Sequence, residues 1–230
     1  MLVVETRSSN IYTPRSAHVM NISAKTSKAL EELRSRYITL LQKGNYQNYT
    51  IADLCYSANA RRQYHDEFRI SVVGNPIEDL VQKLESAHMV KKVAKATQDI
   101  TVFLFSGQAN LYRGIGAELF STAPVFQEAV LKCSEILRQL GFEGVEHFIS
   151  NNDRGQKGVG DEEEVLSQCA CFVVQYALAK LWQSWEVEPE VVIGHSMGAY
   201  AAFVTSGTLS LEDALLLIAK RAQLMVSHCT

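Results

Sequence analysis

The 230-residue sequence predicts an α/β fold built as two successive units, and three observations lead there. Short, strand-like apolar runs alternate with longer segments of helical periodicity, the pattern of helices layered on sheets. Four prolines and thirteen glycines are few for this length, so elements are long and loops limited. Residues 88–99 carry Lys91, Lys92 and Lys95 with little periodicity, and mark a boundary between the units.

The elements follow in order. Residues 1–17 are polar and irregular, an incoming linker. His18–Ser23 is a short strand, its Val19 and Ile22 backed by Met20. A helix from Ser23–Ser27 to about Lys43 places Leu30, Leu33, Tyr37, Leu40 and Leu41 on one face, and Gly44 stops it. Thr50 or Asp53 opens a second helix towards Gln63. Phe68–Val73 is a strand, and Ile77 to about Ala87 a helix with Leu80, Val81 and Leu84 as its stripe. These elements make a small α/β unit over residues 18–95.

In the second unit, residues 100–230, Ile100–Phe105 is almost continuously apolar, as in a strand buried on both faces. Helices follow over Tyr112–Leu119, Pro124–Leu140 and Gly144–Ser150, then a polar loop from Asn151 to Gly160. Asp161-Glu-Glu-Glu opens the next helix, which runs to about Trp185, its acidic residues complementing the helix N-terminus. Pro189–Ile193 is a second buried strand, and helices over 198–207 and 211–228 complete the pattern.

Composition narrows the function. With 22 basic and 25 acidic residues the net charge is −3, which gives no electrostatic case for nucleic acid. The longest apolar-rich run, Cys169–Trp182, is interrupted by Gln175 and Lys180 and falls short of the ~20 residues that span a bilayer. Glu5 follows Met1-Leu-Val-Val, so no apolar signal core is expected. Five scattered cysteines fit reduced thiols in a cytoplasmic protein, and Cys169 and Cys171 suit packing better than metal binding.

Gly194-His195-Ser196-Met197-Gly198 carries the chemistry. It fits G-x-S-x-G between a strand and a helix, where a sharp turn strains the serine and exposes its hydroxyl. The free N–H groups of the helix start lie ready for an oxyanion. A structural Gly-Ser-Gly turn is the plainer alternative. Upstream, Phe105-Ser-Gly-Gln-Ala allows a tight turn at Gly107, where Gln108 either presents a second backbone N–H beside that of Met197 or simply closes an ordinary strand-end turn. Arg221 lies among Leu217, Ile218, Leu224 and Met225 on its helix, so it emerges on an apolar face. A guanidinium there either grips a substrate carboxylate in bidentate fashion or snorkels to solvent.

In order and spacing, Gly107-Gln108, Ser167-Gln168, Gly194–Gly198 and Arg221 resemble malonyl-CoA:acyl carrier protein transacylases. Phe103-Leu-Phe-Ser-Gly-Gln and Leu217-Ile-Ala-Lys-Arg-Ala-Gln-Leu-Met look most like the acyltransferase domain of fungal iterative polyketide synthases of the non-reducing type. Asn21-Ile-Ser-Ala-Lys-Thr and Ala60-Arg-Arg resemble the linker that joins the ketosynthase to that domain. The resemblance implies a small α/β linker domain followed by an incomplete α/β-hydrolase-like acyltransferase large subdomain with a parallel sheet core.

It implies Ser196 as the acylated nucleophile, Gln108 and Met197 as oxyanion donors, and Arg221 as the ligand of the malonyl carboxylate. Gln168 and His195 would shape the substrate site, although His195 cannot reach round to act as base. The substrate would be malonyl-CoA and the acceptor the phosphopantetheine of an acyl carrier protein, with a ketosynthase domain as neighbour and no metal or redox cofactor. There are two departures from the family pattern. Ala109 stands where a second glycine is usual, and the chain ends thirty-four residues after Ser196, before the catalytic histidine. His228, seven residues past Arg221 on the same helix, is a poor candidate for that base. A catalytically silent remnant or scaffold therefore stands as an alternative. A hydrolase or thioesterase is weaker, since only Glu212 or Asp213 with His228 follow the serine in the required order.

Overall fold

The computed structural model describes residues 15–44, 49–92, 100–108, 111–151 and 161–228. Residues 1–14, Ala109 and most of the loop expected at 151–160 lie outside the described residues. The chain divides into two compact units, Met1–Thr97 and Gln98–Thr230.

The first unit contains β1 (His18–Ala24), α1 (Ser27–Gln42), α2 (Ile51–Ala60), β2 (Phe68–Gly74), α3 (Ile77–Ser86) and β3 (Val90–Lys91). Its antiparallel sheet has the order β1-β2-β3, with His18 opposite Gly74 and Ala24 opposite Phe68. Side chains alternate across a strand, so Met20, Ile22 and Ala24 point into the core with Ile70 and Val72. Val19 is therefore outward and 46% exposed.

Thr26 caps α1 by accepting from the N–H of Ala29 at 3.2 Å, and Leu30, Tyr37 and Leu41 form its buried stripe. Thr50 and Asp53 act together at α2: the Thr50 hydroxyl accepts from the N–H of Asp53 (3.2 Å), and the Asp53 carboxylate from that of Thr50 (2.9 Å). The sequence pattern missed β3, which is only two residues long and pairs Lys91 with Phe68 and Val90 with Arg69.

The second unit contains β4 (Val102–Phe105), α4 (Ala117–Thr122), α5 (Pro124–Gln139), α6 (Glu146–Ser150), α7 (Asp161–Gln183), β5 (Val191–Gly194), α8 (Gly198–Thr205) and α9 (Leu211–His228). β4 and β5 pair in parallel, from Val102 opposite Val191 to Phe105 opposite Gly194. Phe103, Phe105 and Val192 pack into the core on the side covered by α8.

The other face overturns the expectation of strands buried on both sides. Leu104 is 74% exposed and Ile193 52%, with Val102 and Val191 also exposed. Helices cover one side of this sheet, and among the described residues nothing covers the other.

α7 forms the centre of the core, packed between α5 and α9. The stretch Glu163–Gln183 is long and apolar enough to cross a membrane, more than the shorter uninterrupted run suggested, but most of its residues are buried inside the protein. α4 begins at Ala117 rather than Tyr112. Gly114 takes a left-handed turn (φ 77°), and the N–H groups of Gly114 and Gly116 donate to the carbonyls of Phe148 and Ile149 instead of starting a helix. The acidic start of α7 has a specific partner: the Glu163 carboxylate accepts two bonds from Arg113, from Nε at 3.0 Å and Nη2 at 2.5 Å. Cys133 and Cys169 are buried in this core, and desolvation pushes each thiol up to about 12, as befits packing residues rather than reactive ones.

Candidate active site

The parallel register of β4 and β5 brings the ends of two strands, far apart in sequence, side by side. β5 ends at Gly194, and the N–H of His195 donates to the carbonyl of Phe105 at the end of β4 (2.9 Å). Ser196 then takes a left-handed backbone (φ 54°), and α8 starts two residues later. For a residue with a Cβ this conformation is strained, and the turn persists because its surroundings dictate it.

The flanking glycines explain how. A Cβ on Gly194 would lie 2.5 Å from the Cα of Ala199, and one on Gly198 would lie 2.7 Å from the carbonyl oxygen of Ser106. Backbone thus fills both positions where side chains would be, and the elbow closes only with glycine there. Ser196 is exposed, and among the described residues nothing hydrogen-bonds its hydroxyl. The N–H groups of Met197 and Gln108 likewise donate to none of the described residues.

Ser106–Gln108 leaves β4 directly against this elbow. A Cβ placed on Gly107 would sit 3.7 Å from both the Cβ of Ser196 and Nδ1 of His195. Gln108 is exposed, and its carbonyl accepts from the N–H of Leu111 at 3.2 Å, which turns the chain after the strand. Gly107 thus lies against the elbow that carries the exposed serine, and the N–H groups of Gln108 and Met197 are unused among the described residues.

Arg221, on α9, meets the elbow from the other side. Its Nη1 lies 2.5 Å from Oε1 of Gln168 and 3.3 Å from Sδ of Met197, the residue after the serine. Gln168 is fully buried, and its Nε2 donates to the carboxylate of Glu164 at 3.0 Å. The partner of the guanidinium is thus a neutral amide. Among the described residues no carboxylate forms an ion pair with Arg221, which keeps its positive charge available for an anion. A cavity of about 400 Å³ lies beside it, lined by Arg221, Leu224, Met225 and His228.

The apolar setting expected for Arg221 is only half realised: Ile218 is buried, but Leu217 and Leu224 are 49% and 60% exposed. Arg221 sits at the edge of the buried face of α9. Gln168 is placed behind Arg221 rather than facing the cavity. His195 is exposed, and among the described residues its ring makes no hydrogen bond. His228 is occupied within its own helix, its Nδ1 2.6 Å from the Ser227 hydroxyl. Glu164 and Gln175 escaped the sequence reading. The available signal for Gln175 was a polar residue interrupting the apolar run of a core helix.

Residues 102–229 match the Acyl transferase domain family, more than half of the chain. The chain belongs to this family. Residues 18–84 match the C-terminal region of CurL-like polyketide synthases, so the two matched segments fall in separate units. An orsellinic acid synthase of Armillaria mellea is 39% identical over 214 residues, 93% of this chain. A non-reducing polyketide synthase of Cladonia grayi is 36% identical over 217 residues. The chain spans about 10% of the length of these curated relatives. Among solved structures, the acyl transferase domain of ZmaA has a TM-score of 0.78 at 26% identity, over 93% of this chain and 50% of that one. The acyltransferase domain from module 8 of the salinomycin polyketide synthase has a TM-score of 0.71 at 26% identity, over 92% and 50%. The fold is that of polyketide synthase acyltransferase domains.

Proposed function

We propose that this acyltransferase chain takes malonyl from malonyl-CoA as a Ser196 ester and passes it to the phosphopantetheine thiol of an acyl carrier protein. In a fungal polyketide synthase the neighbouring ketosynthase domain would then use the loaded carrier. The reading places the chain in the cytoplasm, where unpaired cysteines stay reduced. What carries it is the arrangement around Arg221: a guanidinium paired, among the described residues, with the neutral Gln168 and touching Met197 of the serine elbow. Such a cation holds a dicarboxylic acyl group by its free carboxylate while the thioester carbonyl meets the serine.

In the first step the Ser196 oxygen forms a bond to the thioester carbonyl carbon and gives up its proton to a base. The N–H groups of Gln108 and Met197 receive the negative oxygen of the tetrahedral intermediate. The carbon–sulfur bond then breaks, and coenzyme A leaves as a thiol with the proton returned. The second step runs the same chemistry in reverse, with the carrier thiol as nucleophile.

Among the described residues no imidazole reaches the Ser196 hydroxyl, so the base comes from elsewhere and the chain by itself acylates slowly. The same observation supports the second reading, a catalytically silent scaffold. Intact-protein mass spectrometry after incubation with malonyl-CoA separates the two. A malonyl adduct lost in Ser196→Ala supports the transacylase; no adduct supports the scaffold. Arg221→Ala should cut malonyl loading far more than acetyl loading, and equal loss of both would remove the carboxylate-binding role.

A further inference from the structure

Gln175, on α7, reaches 69 residues back along the chain: its Nε2 donates to the carbonyl of Ser106 at 3.0 Å, with the Sγ of Cys171 also within 3.3 Å. Because the loop presents an acceptor, the amide must face it with its nitrogen. That leaves Oε1 pointing inward, where it is buried without a hydrogen-bond partner among the described residues. A stranded amide oxygen opposes stability, so packing alone does not account for glutamine at this place.

We infer that Gln175 is a positioning residue that holds the Ser106–Gly107 peptide, and through it the Gln108 N–H, in register with the Ser196 elbow. The peptide unit is planar and trans, so fixing the Ser106 carbonyl fixes the Gly107 N–H on its opposite edge and sets the start of the Gln108 turn. On its elbow side the same carbonyl sits where a Cβ of Gly198 would be, 2.7 Å away. The loop is therefore held between a core-helix amide on one side and the elbow on the other. Gly107 offers little resistance to rotation of that peptide, so the amide of Gln175 supplies the restraint.

This inference rests on reading Gln108 as an oxyanion donor, and its test has one arm that works whether or not the chain acylates. In the full chain, Gln175→Met keeps the length and helix propensity of the side chain but loses the donor. Gln175→Leu keeps the apolar core helix and likewise loses the donor. Amide hydrogen exchange over residues 102–108 should become about tenfold faster in both, the loss expected for one hydrogen bond, with the rest of the second unit unchanged. The unfolding midpoint of Gln175→Met should stay level or rise. Where acylation of Ser196 is measurable, its rate should fall by the same factor for malonyl-CoA and acetyl-CoA with KM unchanged, unlike the malonyl-selective loss in Arg221→Ala. Unchanged exchange in both variants overturns the tether. Faster exchange with unchanged acylation keeps the tether but overturns its catalytic role. Absence of any adduct on the unaltered protein counts against the transacylase reading alone, and exchange still decides the tether.

Discussion

The sheets of the two units are made of similarly apolar strands yet are finished in different ways. In the first unit Met20, Ile22, Ile70 and Val72 turn inward against helices, and Val19 and Val73 stand half-exposed on the outer face. In the second, Phe103, Phe105 and Val192 do the same, while Leu104 and Ile193 stand on an open face. The second sheet also ends in a strained serine elbow, a feature that the described residues of the first do not show. The first unit is organised around its core alone, whereas the second uses its sheet to bring two strand ends together and build a site. Apolar strand content therefore says little about burial until the covering layer is known.

The strongest test of that contrast is Gly198→Val. Its side chain would be driven into the backbone of β4, so the second unit should lose more than about 3 kcal/mol, seen as loss of its transition in urea, while the first unit unfolds as before. Next, Ile70→Ala should cost the first unit about 2–5 kcal/mol by opening its core. Leu104→Ala on the open face should change the second unit by less than about 0.5 kcal/mol. Equal costs would mean that the open face is covered in solution. Ser196→Gly should stabilise the second unit by about 1 kcal/mol by relieving the left-handed strain, while removing the proposed nucleophile. A loss of stability there would mean that the elbow stores no strain.

The smallest effect belongs to the first unit and depends on pH. Burial, with Arg15 nearby adding to it, holds the His18 imidazole below its usual value of 6.5. The unfolded chain then binds that proton more readily than the folded one. Stability should be unaffected above about pH 6.5 and decline as the pH falls from there to the lowered folded value. His18→Gln should flatten this slope; a slope that survives the substitution would assign it to another group.

Much of the site was legible in the sequence because its chemistry depends on local rules. A serine between two glycines at a strand–helix junction has few alternative uses. The helices α1, α3 and α5 were legible from periodicity for the same reason. Elements whose form depends on distant partners were not. β3 exists only because β2 offers it an edge, and α4 starts late because the carbonyls of α6 take the N–H groups of Gly114 and Gly116.

By itself the sequence determined the order of the longer elements, the serine elbow, and Gln108 and Arg221 as residues of interest, because short-range sterics and apolar spacing are written residue by residue; Gln168 was singled out by the family resemblance. Only the tertiary structure decided that Arg221 is held by a neutral amide, that Gln175 reaches the Ser106 carbonyl, and that one face of the second sheet is open. Those facts depend on which groups meet across tens of residues, and a hydrogen bond or a covering layer exists only once both partners have been placed.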